Sequence, residues 1–455
     1  MDFILTNTTV LTFDDAGTIL PACDIQVRGG VIAGLGAAAA DSAVDSAVDS
    51  GATRVIDASD LLIMPGLING HTHSPETLAK GRADRSTLQT WLGEIWPPLD
   101  ALEPRQIYVA ALLGAAEMLH TGTISLVDHF RQTPVRLSAV DAVAEAYRDS
   151  GMRAVIAIML RDVPQRAGQI LPPAAEQIAI VEEAHLKCAI SAGGVRIAAG
   201  PSAPTRCTDE LLVAAGELAA RHDLLVHAHV DETRSDAAEA LDLYGTSNVR
   251  HLADLGLLSP SLSLAHGVWL DDGDIDLLAE SGAAVVHNPV SNMRLGSGIA
   301  PVTALRDRGV TVVLGTDGAA SNDGQSVLEA LKVAVLLQRV ANVDPQQWLT
   351  AHEGLSLVTS ESARVFGFGT GRISLGGPAD FIAVRRSGYA FAPHNDWHRQ
   401  IVFGASSLDV CYAAVDGELL LDDGRITMFD EDAILAEARE MGPMIYARTE
   451  GGLHE

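Results

Sequence analysis

The chain of 455 residues is 47% hydrophobic and 20% charged, and it has no apolar run of about eighteen residues, so it is expected to be globular and not membrane-spanning. Its formal net charge of −28 argues against nucleic acid and anionic lipid as partners, since binding to either depends on Lys and Arg. The N-terminus, MDFILTNTTV, has no basic segment followed by an apolar stretch, and we therefore expect a cytoplasmic protein without a secretory signal.

Short strands are predicted for about the first sixty residues, because apolar and β-branched runs alternate with clusters of Asp, Gly and Ser. The runs are FILTNTTVLTF, CDIQVRGGVIAGLG and TRVIDASDLLI. A repeat of small residues at 37–52, between the second and third runs, has no apolar period and is interpreted as a surface loop. This part of the chain therefore predicts a small β layer.

Beyond about residue 63, eight apolar runs alternate with stretches in which apolar residues have helical spacing, the pattern of βα units around a parallel sheet. Eight such units within about 300 residues predict a TIM-like (β/α)8 barrel. The runs are LIMPGLINGHTH, TISLVDHF, RAVIAIML, GGVRIAAGP, LLVHAHV, SLSLAHGVW, AAVVHNPVSN and VTVVLGTDG.

Short strands with glycine turns return after the eighth unit, beginning with GRISLGGPADFIAVRR. We expect these strands to join the N-terminal ones in a small, discontinuous β-sandwich domain beside the barrel, and the last segment is expected to be helical. The predicted organisation is therefore a first part of the sandwich at 1–62, the barrel at 63–368, a second part of the sandwich at 369–430 and a C-terminal helix at 431–455.

Polar residues occupy the ends of the predicted barrel strands, where the active sites of such barrels lie. A single histidine at a strand end is more often structural than a metal ligand. His71 and His73, however, are separated by one residue, and side chains at alternate positions of a strand point to the same side. The other polar residues at strand ends are Asp128, His129, His227, His229, Glu232, His266, His287, Asn288 and Asp317.

Three histidines and one aspartate at these strand ends together supply nitrogen and oxygen donors suited to Zn2+ or another divalent transition ion. Such an ion lowers the pKa of bound water toward neutrality and makes a nucleophile available at pH 7. Glu232 follows His229 by three residues and is a candidate proton shuttle, and His266 is a candidate for orienting the hydroxide.

Five motifs occur in a fixed order along the chain: PGLINGHTH, VHAHVDET, LAHGVWL, VVHNPVSNMRLGSGIAPV and GTDGAASN. On these motifs the chain resembles the amidohydrolase superfamily, and most closely its branch of methylthioadenosine/S-adenosylhomocysteine deaminases and triazine hydrolases. The resemblance extends over the barrel and both β flanks. It implies that the metal ligands are His71, His73, His229 and Asp317, and that the catalytic residues are Glu232, His266 and Asp317.

The resemblance also implies the reaction: hydrolytic deamination of an amino-substituted N-heterocycle of purine, pterin, pyrimidine or triazine type by metal-activated water, with release of ammonia. Asp317 would take a proton from the water, Glu232 would protonate the ring nitrogen beside the attacked carbon, and His266 would hold the hydroxide in line. Binuclear relatives carry a carboxylated lysine at the end of strand four, but GGVRIAAGPSAP contains no lysine. One divalent ion is therefore expected, with zinc as the first choice and iron as the alternative, because His3Asp accepts either.

Six residues are candidates for binding the substrate. Asp100 stands where nucleoside-acting relatives have a ribose-binding glutamate, and Glu76 stands where they usually have an apolar residue. The carboxylate of Glu76 can bind an amino or ring N–H group, although a solvated position in the loop is an equal alternative. A tryptophan can stack on a flat ring, although core packing is its commoner role. The candidates are Glu76, Asp100, His129, Trp91, His287 and Asn288.

Other functions stay open on the sequence. The same activated water suits displacement of chloride or an alkylamine from a triazine, and the resemblance also allows a nucleoside deaminase of the methylthioadenosine/S-adenosylhomocysteine type. Cyclic amide hydrolysis is less favoured, since the lysine of the binuclear enzymes is absent. A metal-binding barrel without catalysis is opposed by the presence of Glu232, His266 and Asp317. Homo-oligomers are common in the family that the chain resembles, although nothing in the sequence shows an interface.

Overall fold

The structure is a computed structural model that describes residues 2–36, 53–165, 168–190, 194–406 and 409–450. The repeat interpreted as a surface loop, 37–52, lies outside the described residues. The described strands are β1 (Phe3–Leu11), β2 (Ile19–Arg28), β3 (Val31–Leu35), β4 (Arg54–Asp57), β5 (Leu61–Pro65), β6 (Leu67–Thr72), β7 (Thr123–Phe130), β8 (Arg153–Leu160), β9 (Val195–Pro201), β10 (Val226–Val230), β11 (Leu262–His266), β12 (Ala284–His287), β13 (Val312–Leu314), β14 (Phe381–Arg385), β15 (Val410–Val415), β16 (Glu418–Asp422) and β17 (Arg425–Ile426).

Helices alternate with the strands from β6 onward. A short 3-10 helix, Ser74–Ala79, follows β6 directly. The described α-helices are α1 (Leu88–Asp100), α2 (Pro104–His120), α3 (Leu137–Ser150), α4 (Ala174–Ala189), α5 (Asp209–His222), α6 (Arg234–Tyr244), α7 (Asn248–Asp254), α8 (Asp272–Ser281), α9 (Pro289–Arg294), α10 (Val302–Asp307), α11 (Val327–Ala341), α12 (Ala351–Leu357), α13 (Ser360–Phe366), α14 (Trp397–Gly404) and α15 (Glu431–Glu450).

The strands β6 to β13 are parallel and follow one another around a barrel in sequence order. Between the last and the first strand, the backbone N–H of Asp317 donates to the carbonyl of His71 over 3.0 Å. Each of the eight predicted runs contributes one of these strands, so the predicted (β/α)8 barrel is confirmed. Because the strands are parallel, their carboxyl ends meet on one face, and the polar residues at those ends lie there.

The first predicted run, LIMPGLINGHTH, differs from the prediction because it spans two strands. Leu61–Pro65 forms β5, which pairs with β14 and β1 in the flanking sheet, and only Leu67–Thr72 belongs to the barrel. Gly66 lies between them, and a Cβ atom there would lie 2.2 Å from the side chain of Ile124. The Pro-Gly pair therefore marks the crossing from one sheet to the other. The domain boundary predicted at 62/63 falls within β5 and stays a prediction.

The second sheet combines both ends of the chain, as expected from the sequence. Its nine strands are β1 to β5 and β14 to β17, and all neighbouring pairs are antiparallel except those of β1 with β4 and β5. The sheet has its own apolar core, in which the rings of Phe3 and Phe381 lie edge to face at 6.2 Å. The discontinuous β domain is thereby confirmed.

An apolar layer fills the barrel interior beneath the polar strand ends. Ile68, Val127, Val155 and Val286 are all buried in this cluster. Close packing of this kind fixes the strands relative to one another and so fixes the side chains above them. Among the described residues, no helix has the length and apolar character needed to span a bilayer.

Candidate metal and catalytic site

The four predicted metal ligands lie together at the carboxyl end of the barrel. His71 lies in β6, His73 follows that strand directly, His229 lies in β10, and Asp317 follows β13. The Nε2 atoms of His71 and His73 each lie 3.3 Å from Asp317 Oδ1, and the Nε2 atoms of His73 and His229 are also 3.3 Å apart. Three strands distant in sequence therefore bring their donor atoms to one point.

The spacing of these donor atoms fits a divalent ion. Zinc bonds of about 2.0–2.1 Å in a tetrahedral set put neighbouring donors about 3.3 Å apart. The three measured separations have this value. Imidazole nitrogen with one carboxylate oxygen is also the donor chemistry that zinc and ferrous iron accept.

Two of the three histidines are held in the metal-binding tautomer by backbone carbonyls. His73 Nδ1 donates to the carbonyl of His129, and His229 Nδ1 donates to the carbonyl of Ser202, both over 2.6 Å. With the proton on Nδ1, each ring has an unprotonated Nε2. Two such lone pairs facing one another at 3.3 Å repel unless a cation lies between them, which supports a metal site.

His71 is held by a side chain instead. Its Nδ1 lies 2.7 Å from His227 Nε2, and His227 Nδ1 lies 2.7 Å from Ser263 Oγ. A separation of 2.7 Å is a hydrogen-bond distance and is shorter than the spacing between two ligands of one ion. Ser263 Oγ donates to the carbonyl of Val226, so it accepts from His227 Nδ1. His227 Nε2 therefore accepts the Nδ1 proton of His71, and His71 Nε2 stays available to a metal.

Replacing His227 by Leu is expected to weaken zinc binding by about 10–100-fold, because it removes the hydrogen-bond acceptor that orients His71. The zinc dissociation constant, measured by competition with a chromogenic chelator, checks this. His227→Gln is the matched control, since its amide oxygen can still accept the proton, and Ser263→Ala is expected to have a smaller effect. An unchanged zinc affinity in His227→Leu would contradict the orienting role of His227.

Burial and close contacts set the charge of the site. Burial lowers the pKa of His71, His73 and His229, to about 3 for His73. Burial alone would raise the pKa of Asp317, but its hydrogen bond with His71 and its electrostatic interaction with His73 lower that pKa well below the usual range. At neutral pH the cluster therefore combines three neutral imidazoles with one carboxylate.

The carboxylate of Asp317 is fixed by hydrogen bonds on both oxygens. Ser291 Oγ and Ser321 Oγ donate to Oδ2 over 2.6 and 2.8 Å, and the backbone N–H of Gly318 donates to Oδ1 over 2.8 Å. Asp317 itself has a φ of 62°, in the left-handed region that non-glycine residues seldom adopt. Strain of this kind is often found at functional sites, where the surrounding structure holds it in place.

Glu232 and His266 lie beside this cluster. Glu232 Oε2 is 3.7 Å from His266 Nε2, and His266 Nδ1 lies 2.8 Å from Asn292 Oδ1. Burial raises the pKa of Glu232 to about 7, with the charge of Asp317 adding to the shift and that of His266 opposing it. A carboxyl group with a pKa near 7 can donate and accept protons at neutral pH, as an acid–base catalyst must.

A small pocket opens over the cluster. The space between its walls, including its open mouth, is about 270 Å³. One face of α1 forms a wall, because its pocket residues follow helical spacing. The lining residues are His73, Glu76, Leu88, Trp91, Leu92, Trp96, Arg206, His229, Glu232, His266, Leu295 and Asp317.

Glu76 is buried in the wall of this pocket and is not a solvated loop residue, since it is only 1% exposed. Burial raises the pKa of Glu76 well above its usual value, and the charge of Asp317 adds to the shift. Trp91 also lines the pocket, and its indole N–H donates to the carbonyl of Ala320 over 3.2 Å. Two of the six substrate candidates, Glu76 and Trp91, are therefore at the pocket.

The other four candidates do not line this pocket. Asp100 accepts hydrogen bonds from Arg131 and from the backbone N–H of Thr133, over 2.7 and 2.8 Å. His129 lies under the metal ligands, where its carbonyl holds His73. The substrate roles of these candidates stay predictions, and His287 and Asn288 are likewise buried away from the pocket lining.

Sequence reasoning missed Arg206 and the serines that hold Asp317. Arg206 lies in the loop after β9, at a strand end like the other site residues, and this position is a signal that could have identified it. Ser291 and Ser321 lie within two of the five motifs but carry no chemistry that singles them out in the sequence.

Comparisons with known proteins agree with the geometry. The model of the Amidohydrolase family matches residues 62–420. A 5'-deoxyadenosine deaminase of Methanothermobacter thermautotrophicus is 38% identical over 393 residues, covering 85% of this chain and 88% of that protein. A 5-methylthioadenosine/S-adenosylhomocysteine deaminase of Syntrophobacter fumaroxidans is 35% identical over 445 residues, covering 96% of this chain and 97% of that protein.

A solved structure is similar over the same length. The atrazine chlorohydrolase of Arthrobacter aurescens TC1, complexed with zinc, has a TM-score of 0.88 at 28% identity, covering 97% of this chain and 100% of that one. The resemblance inferred from the five motifs is thereby confirmed. Because the family model matches most of its length and deaminases more than 30% identical span it, the chain belongs to the amidohydrolase family.

Proposed function

We propose that this chain is a single-metal aminohydrolase that removes an amino group, as ammonia, from an N-heterocycle. Family membership and the deaminase relatives make it a metal-dependent hydrolase of carbon–nitrogen bonds other than peptide bonds. The observation that supports the specific proposal best is the group of four donor atoms, with three separations of 3.3 Å among them, beside the Glu232–His266 pair.

One metal ion is proposed, held by His71, His73, His229 and Asp317. Strand β9, where binuclear relatives carry their bridging lysine, contains none, and Lys187 on α4 binds Asp141 over 2.7 and 2.8 Å instead. When bound, the ion activates water for attack at neutral pH. Zinc is the first choice and ferrous iron the alternative, and elemental analysis of the purified protein distinguishes them.

The side chains beside the ion divide the proton transfers. Asp317 stays ionised and is aligned by two serine hydroxyls, so its carboxylate is placed to take the proton of the attacking water. Glu232, with its pKa near 7, gives a proton to the ring nitrogen beside the attacked carbon and so prevents negative charge from building on that nitrogen. His266, held by Asn292, orients the attacking oxygen.

Ammonia release from a panel of heterocycles tests this function. The panel comprises purines, pterins, pyrimidines, amino-, alkylamino- and chlorotriazines, adenosine-type nucleosides and a cyclic amide, each assayed with zinc-loaded enzyme and with the chelated protein. We expect ammonia from at least one compound and none after chelation. Chloride or alkylamine released from a triazine without ammonia would favour the triazine hydrolase alternative. Turnover of the cyclic amide alone would favour cyclic amide hydrolysis. No turnover on any member would overturn the proposal.

A further inference from the structure

Glu76 stands out in the pocket because its carboxyl group lacks well-formed partners. It is 1% exposed, and neither Oε1 nor Oε2 makes a well-formed hydrogen bond with a described residue. The indole N–H of Trp96 and the backbone N–H of Ala320 act on the carboxyl group and lower its pKa, but neither forms a well-aligned hydrogen bond with it. Buried polar groups are nearly always paired, and an unpaired one in a pocket wall is commonly reserved for a ligand. The proposed reaction itself does not use Glu76.

The backbone under Glu76 is fixed. The 3-10 helix Ser74–Ala79 is buried throughout, and the N–H of Ser74 donates to Asp128 Oδ1 over 3.0 Å. Tyr147 donates to the other oxygen of Asp128 over 2.9 Å. A side chain on such a support holds one position, as a group that discriminates between ligands must.

The carboxyl group of Glu76 packs against Gly318, next to Asp317. A Cβ atom at position 318 would lie 1.8 Å from Glu76 Oε2, so a larger residue there would push the carboxyl group aside. Arg131, whose charge acts on Glu76, donates to Asp100 over 2.7 Å and stacks on Trp96 at 4.0 Å from the ring centroid. The carboxyl group is therefore held in the pocket wall beside the metal ligands.

The remaining walls suit a flat ring. Trp91 and Trp96 bring aromatic surface to the pocket, and Glu232 approaches from the strand ends. A planar heterocycle between these walls can place one ring nitrogen next to Glu232 and a second edge of the ring next to Glu76. A carboxyl oxygen facing that edge can accept a hydrogen bond from an N–H of the ring.

Resting on the proposed deaminase function, we propose that Glu76 accepts a hydrogen bond from a second N–H donor of the substrate. The substrate class is then a heterocycle that carries a lactam N–H or a second exocyclic amino group near the amidine that reacts. An adenine ring substituted at N9 has its leaving amino group as its only N–H donor, so the base of an adenosine-type nucleoside offers Glu76 no second N–H. The chain is thereby expected to differ in substrate from the deaminases named for adenosine derivatives.

Matched substrate pairs test this inference on the zinc-loaded enzyme. Adenine and 2,6-diaminopurine differ by one amino group, and 2-aminopyrimidine and isocytosine differ by the lactam. We expect kcat/KM to be at least about tenfold higher for the donor-bearing member of the pair that is turned over, since a site built for a hydrogen bond rejects the analogue that lacks it. Equal kcat/KM for both members, or preference for 5'-deoxyadenosine, would overturn the inference while leaving the deaminase function intact.

Variants of Glu76 test whether this residue causes the preference for the donor-bearing substrate. In Glu76→Leu the preference is expected to disappear through a higher KM for the donor-bearing substrate, and Glu76→Gln, whose amide oxygen still accepts, is expected to keep most of it. Glu94→Gln, an exposed carboxylate of α1, is the matched control. If Glu76→Leu does not fold, Glu76→Asp, which withdraws the carboxyl group, serves in its place. A preference that persists in either variant would overturn the role of Glu76, whereas no ammonia from any substrate would instead overturn the proposed function.

Discussion

Replacing Glu232 by Gln is expected to lower kcat by about 10²–10⁴-fold, the range that removal of a general acid–base group produces. Gln has the same shape and can still hydrogen-bond, but it cannot give a proton to the substrate ring. Glu232 is buried and lies 3.7 Å from His266 Nε2, so water from the bulk solvent is not expected to take over its role as proton donor. Steady-state kinetics on the best substrate of the panel measure the loss.

Zinc content and the pH profile separate a chemical role of Glu232 from a structural one. The variant is expected to bind zinc fully, because Glu232 is not among the four closely spaced donor atoms. The proton donor is the protonated form, so with a pKa of about 7 the wild-type kcat/KM is expected to fall as the pH rises through 7. The residual activity of Glu232→Gln is expected to lack that step. Wild-type turnover in the variant would contradict the assignment of Glu232 as proton donor.

The alternation of side chains along a strand explains why most of this site could be inferred from the sequence. His71 and His73 are two positions apart, and a parallel barrel brings every strand end to the same face. His229 and Asp317 therefore had to lie near the pair once the eight runs were assigned to one barrel. The register between strands then brought the donor atoms to 3.3 Å.

The supporting hydrogen bonds could not be inferred, because they depend on backbone atoms and on distant partners. The carbonyls of His129 and Ser202, which fix two of the metal-binding tautomers, are chemically the same as every other carbonyl in the sequence. Asp100 looked free to bind a substrate, but Arg131, 31 positions away, occupies it. Such pairings form only when loops after different strands pack together.

The burial of Glu76 could not be inferred from the sequence either. Its unusual position was visible in the sequence, but its burial was not, and a solvated loop residue was an equal alternative. The 3-10 helix that carries Glu76 is buried because α1 and α2 pack over it. Packing between separate helices forms only in the folded chain. The structure therefore turned an ambiguous residue into a candidate for substrate discrimination.

Replacing Asp317 by Asn is expected to abolish measurable turnover and to weaken zinc binding by at least about 10²-fold. The substitution removes the only carboxylate among the four donor atoms and leaves three neutral imidazoles to hold a divalent cation. It also removes the group proposed to take the proton of the attacking water. Zinc content and the zinc dissociation constant measure the first effect, and ammonia release measures the second.

Thermal unfolding gives an independent measure of the same change in Asp317→Asn. Zinc at about 1,000 times its dissociation constant stabilises a protein by about 4 kcal/mol, so zinc is expected to raise the melting temperature of the wild type and to raise that of Asp317→Asn much less. Ser321→Ala is the matched control, because it removes one hydrogen bond to Asp317 Oδ2 and keeps the carboxylate and the 2.6 Å contact with Ser291. Its zinc response is expected to stay close to that of the wild type. Equal zinc responses in the wild type and Asp317→Asn would mean that the ion is held elsewhere, and the four-residue site would then be wrong.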